Sequence, residues 1–107
     1  MSRHAAITDV FTAVADPTRR SLLAALASGE QPVGNLASRF QVTLPAVSQH
    51  LRLLRKAGLV SVRPAGRQRF YRLEPAPLKE VSEWVRSIER FWRQKLNTLG
   101  RHLEENP

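Results

Sequence analysis

A chain of 107 residues suffices to bury one core, so a single domain over 1–107 is expected, and the absence of cysteine excludes disulfides and thiolate metal sites. No stretch approaches the ~20 apolar residues that span a bilayer, so the expected setting is cytoplasmic, without a membrane partner. The formal net charge of +8 is concentrated: Gln31 to Leu73 holds no Asp or Glu but eight basic residues, whereas the nine basic and nine acidic residues elsewhere cancel. Such a patch draws a polyanion, where an even scatter would serve only solubility.

Ile7, Val10, Phe11 and Val14 recur at helical spacing and predict a first amphipathic helix. Asp16 followed by Pro17 predicts the start of a second, an acceptor at the cap and then a proline whose missing N–H costs nothing there. Leu22, Leu23 and Leu26 line it, and Ser28 and Gly29 stop it. Pro32 opens a short third helix with Val33, Leu36, Ala37 and Phe40 inward. Only a tight turn fits before Thr43, whose hydroxyl is placed to cap a fourth helix with Pro45 in its first turn, so the two helices form a helix-turn-helix. In "LVSVRPAGRQRFYRL" the period changes to two around Pro64, Ala65 and Gly66, predicting a hairpin with Arg63, Arg67 and Arg69 near its tip. After Pro75 and Pro77, an apolar stripe including Leu78, Val81, Val85, Ile88, Trp92, Leu96 and Leu99 predicts a last helix, with Gly100 a candidate break. If it is continuous to Glu105, it runs about 40 Å, more than a domain of this size covers alone, so part of its apolar face meets another chain.

The fourth helix carries the chemistry. Val47, Leu51 and Leu54 share one side; Ser48, Arg52 and Arg55 lie opposite, with Pro45, Gln49 and Lys56 beside them. A helix of this kind fits the major groove of double-stranded DNA, where Gln suits an adenine edge, Arg a guanine edge and Ser a base or a phosphate. Leu44 and Pro45, at the end that enters deepest, are placed to touch thymine methyl groups, and Arg55 and Lys56 to bind phosphate. Arg67 and Arg69 extend the basic surface to the backbone or an adjacent minor groove. His50 turns toward the apolar side and reads as a packed imidazole. His102 with Glu105 is too thin a pair for a metal, so no metal or cofactor is expected. No phosphate loop, dinucleotide fingerprint or nucleophile elbow appears, so no enzyme is expected.

The segments "ADPTRRSLLAALASGE", "PVGNLASRF", "PAVSQHLRLLRKAGLV" and "GRQRFYRL" together resemble the arsenical-repressor (ArsR) family of bacterial winged-helix regulators, over roughly Val10 to Leu73. The resemblance implies a mainly α fold with a β wing, a winged helix-turn-helix in the order ααααββα whose terminal helices form a homodimer. It implies DNA contact by Thr43, Leu44, Pro45, Ser48, Gln49 and Arg52, with Arg67 and Arg69 in the wing, and a dimer interface of Ile7, Val10, Phe11, Val14, Val85, Ile88, Trp92, Leu96 and Leu99. Metal-sensing members carry cysteines in the third helix, or Asp and His ligands on the last. This chain has neither set complete and resembles the metal-independent branch, whose members often repress their own operon. The implied partners are a second copy of the chain and an inverted-repeat operator, at the bacterial nucleoid; the effector is unassigned. A second reading keeps the same elements as a protein-interaction module or a nonspecific nucleic-acid coat. Ser48 and Gln49 discriminate, since only base readout makes their loss selective for one DNA sequence.

Overall fold

The structure is a computed structural model and describes residues 9–105; Ile7 lies outside them. Helix α1 (Val10–Val14) begins where the Asp9 carboxylate accepts a hydrogen bond from the Thr12 N–H at 2.8 Å. Helix α2 (Pro17–Ala27) starts as expected, with the Asp16 carboxylate accepting from the Arg19 N–H at 3.0 Å and Pro17 in its first turn. The arginines following that cap then reach back to α1. Arg19 Nε donates to the Ala13 carbonyl at 2.8 Å, and Arg20 Nη1 to the Val14 carbonyl at 2.9 Å, so carbonyls left over at the end of α1 find donors on α2.

Strand β1 (Gln31–Pro32) precedes α3 (Val33–Phe40), α4 (Leu44–Lys56), β2 (Val60–Ala65), β3 (Gln68–Leu73) and α5 (Leu78–Glu105). The order is thus ααβααββα, one strand more than the expected ααααββα. Gln31 and Pro32 pair with Tyr71 and Phe70, making β3 the centre of a three-stranded antiparallel sheet in the order β1-β3-β2. Pro32 therefore serves both the strand and the N-terminus of α3, whose first helical residue is Val33. The hairpin turn also differs. Pro64 and Ala65 pair with Arg69 and Gln68, and the loop is Gly66 and Arg67 alone. Gly66 has φ 61°, as a type II′ turn requires at its first central position, and Pro64 is tolerated because β2 is an edge strand.

Leu22, Leu36, Val47, Leu51, Leu54 and Leu59 are fully buried and join α2, α3, α4 and the start of the hairpin in one core. Each such side chain contributes roughly 1.5–3 kcal/mol relative to exposure. Helix α4 ends in a Schellman arrangement, the Gly58 N–H donating to the Arg55 carbonyl and the Leu59 N–H to the Leu54 carbonyl, both at 3.0 Å. Helix α5 runs unbroken through Gly100 for 28 residues. Leu78 and Val81 pack on the core, and the Trp84 ring meets Phe11 edge-on with centroids 5.9 Å apart. Beyond that contact the apolar stripe is exposed, with Trp92 and Leu96 each 60% accessible.

Candidate nucleic-acid interface

The turn between α3 and α4 is Gln41, Val42 and Thr43. The Thr43 hydroxyl accepts from the Ala46 N–H at 3.3 Å, and Pro45 lies in the first turn, which fixes where α4 begins. Burial of Val47, Leu51 and Leu54 then fixes its rotation. That rotation leaves Leu44, Pro45, Gln49, Arg52, Arg55 and Lys56 exposed and Ser48 half-buried. Leu44 is 51% accessible, a large apolar side chain with no core to enter.

Ser48, Arg52 and Arg55 follow one another at i, i+4 and i+7 and face the sheet. Together with Arg69 and Tyr71 of β3 they line a cleft of ≈ 310 Å³, floored by Val33 and Leu51. Arg69 and Tyr71 enter it together because residues two apart on a strand share a face. Arg67 stands apart from them, exposed in the turn. Tyr71 is a part of this surface that sequence reading missed; its signal was the i+2 relation to Arg69.

Arg63 is not a free cation at the tip. It lies within β2, where its Nη2 and Nε donate to the Glu30 carboxylate at 2.6 and 3.2 Å and its guanidinium stacks 5.1 Å from the Phe70 ring centroid. The hydrogen bonds and charge of Arg63 hold the Glu30 carboxyl below the usual carboxylate range. Among the described residues, Arg52, Arg55, Lys56, Arg67 and Arg69 have no carboxylate partner. His50 is half-buried, and its Nδ1 accepts from Arg19 Nη1 at 3.5 Å, as a packed imidazole would.

The residues expected at a subunit interface fall into two groups. Val10 is buried in the chain's own core, and Phe11 and Val14 are half-buried against it, so α1 has little apolar surface to spare. Val85, Ile88, Trp92, Leu96 and Leu99 are all exposed on α5. Among the described residues no group of three or more His, Cys, Asp or Glu is placed to hold a metal ion, and no helix is long and apolar enough to cross a membrane.

A tight helix-turn-helix followed by a hairpin, with unpaired arginines on both, defines a winged helix-turn-helix DNA-binding protein. Residues 14–63 match a helix-turn-helix domain family. The chain is 42% identical to the HTH-type transcriptional regulator Rv2034 of Mycobacterium tuberculosis, over 97% of this chain and 94% of that one. It is 34% identical to the transcriptional repressor SdpR of Bacillus subtilis, over 72% of this chain and 86% of that one. The solved structure of an ArsR-like transcriptional regulator from Rhodococcus superposes with a TM-score of 0.75 at 31% identity, over 92% of this chain and 90% of that one. The chain belongs to the arsenical-repressor (ArsR) family of transcriptional regulators, which bind DNA and are not enzymes.

Proposed function

We infer that the protein is a homodimeric repressor that binds an inverted-repeat operator from the bacterial cytoplasm, without a metal cofactor. The observation that carries this reading is the face of α4 opposite Val47, Leu51 and Leu54, which presents donors from Thr43 to Lys56 and no carboxylate. Helix α4 enters the major groove with Leu44 and Pro45 leading and Gln49 against a base edge, while Arg55 and Lys56 meet the backbone. Arg67, at the hairpin turn, reaches the neighbouring groove. The exposed stripe of α5 from Val85 to Leu99 supports pairing of two copies, and two-fold symmetry places the half-sites ~10 bp apart. Repression is the action by which the Bacillus subtilis relative is named.

Selection of DNA from a random pool by the purified protein tests this directly, because the reading requires a palindrome. On the recovered site, affinity should fall by roughly 10³ to 10⁵ between 50 and 200 mM salt for 6 to 10 phosphates contacted. Gln49→Ala should cost about 1–3 kcal/mol on that site and little on random DNA. A flat salt response, or equal loss on both DNAs, would replace the reading with nonspecific or protein binding.

A further inference from the structure

Three guanidinium groups of like charge, Arg52 and Arg55 from α4 and Arg69 from β3, border one cleft. Three arginines outside this cleft are occupied. Arg63 holds Glu30, and Arg19 and Arg20 hold the carbonyls at the end of α1. The cleft arginines have no carboxylate or carbonyl, and Ser48 and Tyr71 add two hydroxyls beside them. Like charges gathered around one cleft repel, and an anion seated between them relieves the repulsion. Guanidinium forks with hydroxyl donors suit the tetrahedral oxygens of a phosphate.

The geometry points to a phosphate seat shared between helix and wing, whose occupant is a phosphodiester of the operator backbone. This rests on the DNA-binding reading above and deepens it. Ser48 and Arg52 then serve as positioning residues: they fix α4 against the backbone while Gln49, on the neighbouring strip of the helix, is left to read the base. Because Arg69 closes the same seat from the sheet, the phosphate also sets the angle between α4 and the hairpin. Arg67 lies outside the cleft and takes no part. The same chemistry would accept the phosphate of a free phosphorylated molecule, which would then compete with DNA.

The test combines salt slopes with a DNA-free titration. Arg52→Gln, Arg69→Gln and the double variant are compared on the selected operator. A phosphate held in common predicts that the double variant loses at most about 0.9 per subunit from the slope of log affinity against log salt, the value of one phosphate. A loss of about twice that would mean separate phosphates and overturn the proposal while leaving DNA binding intact. A neutral methylphosphonate placed at one position per half-site should abolish the effect of both variants together; no such position would also overturn it. In the DNA-free protein, pyrophosphate added at constant ionic strength should shift the Nε–Hε signals of Arg52, Arg55 and Arg69 saturably, leave Arg67 unmoved, and lose effect in Arg69→Gln. Equal, unsaturable shifts of all four would sink the seat. Saturable shifts in a protein that binds no DNA would retain the seat and reject the operator. Because the seat is shared, saturating pyrophosphate at fixed ionic strength should weaken operator binding by the parent protein and not by Arg69→Gln; undiminished operator affinity would overturn the backbone as the occupant of the seat.

Discussion

Gln41 holds a left-handed φ of 54° at the end of α3, the only described residue other than glycine with a positive φ. Its backbone geometry matches that at Gly58: the Val42 N–H reaches the Ala37 carbonyl at 3.2 Å, just as Leu59 reaches Leu54. An L side chain in this region costs roughly 1 kcal/mol that glycine does not incur. Gln41→Gly is therefore expected to stabilise the fold by up to about 1 kcal/mol, and Gly58→Ala to destabilise it by about as much, both read as shifts in urea midpoint. At Gly58 the cost is backbone strain, since an added Cβ would meet Pro77 Cγ at an ordinary 3.6 Å. Charge at single residues sets the acid limit. The Arg19 N–H lowers the Asp16 carboxyl and Arg63 lowers Glu30. Both carboxylates have a lower pKa folded than unfolded, so their contribution is fully present above the unfolded values and is lost as pH falls through the folded ones. Stability should then show no loss from these groups between about pH 8 and 6 and decline below about pH 4. Thermal melts of Asp16→Asn, in which the cap persists without its charge, should show a shallower decline; an identical acid limb would remove Asp16 from the account.

Helix α4 carries buried apolar residues on one side and exposed cations on the other. Leu51 is fully buried, and Leu51→Ala should cost roughly 2–5 kcal/mol. Lys56 is exposed without a partner among the described residues, and Lys56→Ala should change stability by less than about 0.5 kcal/mol while weakening binding to all DNA sequences alike. A calorimetric melt and gel shifts on two unrelated duplexes separate these effects. Elements of this kind were legible because their causes are local: Asp16 and Pro17 mark the start of α2, Thr43 and Pro45 that of α4, and the three-and-four spacing of leucines marks the inward face. Strand β1 was not, because two residues display no period and Pro32 also reads as a helix start. The hairpin sequence reads as turning too early because Pro64 is a turn residue in most contexts, and only the edge position of β2 makes it strand here. The partner of Arg63 lies 33 residues away and has no local signature. The meeting of Arg69 with Arg52 and Arg55 required both the rotation of α4 and the pairing of β3 with β1, neither of which spacing alone specifies.

At the scale of the whole molecule the dominant feature is α5, which extends about 42 Å as a helix of 28 residues. Its first turns are held by Leu78, Val81 and the Phe11–Trp84 contact, but among the described residues nothing in the same chain covers Ile88, Phe91, Trp92, Leu96, Leu99 and Leu103. A continuous apolar stripe of this length is an association surface rather than a scatter of exposed residues. Large aromatic side chains near the centre of such a surface carry much of its energy, which places the weight on Trp92 and its neighbour one turn on, Leu96. Two copies joined through α5 would present two α4 helices to one operator, so that binding the second half-site becomes intramolecular. Avidity of this kind raises affinity by roughly 10²–10⁴ over a single site without any new contact to DNA. Trp92→Ala with Leu96→Ala should therefore shift the protein to monomer in sedimentation at micromolar concentration and lower affinity for the full operator by up to that factor. Affinity for an isolated half-site should be unchanged, because neither residue belongs to the core that orients α4. An intact dimer in the double variant would move the interface off this stripe. Equal losses on half-site and full operator would show that α5 supports the DNA-binding core itself rather than joining two of them.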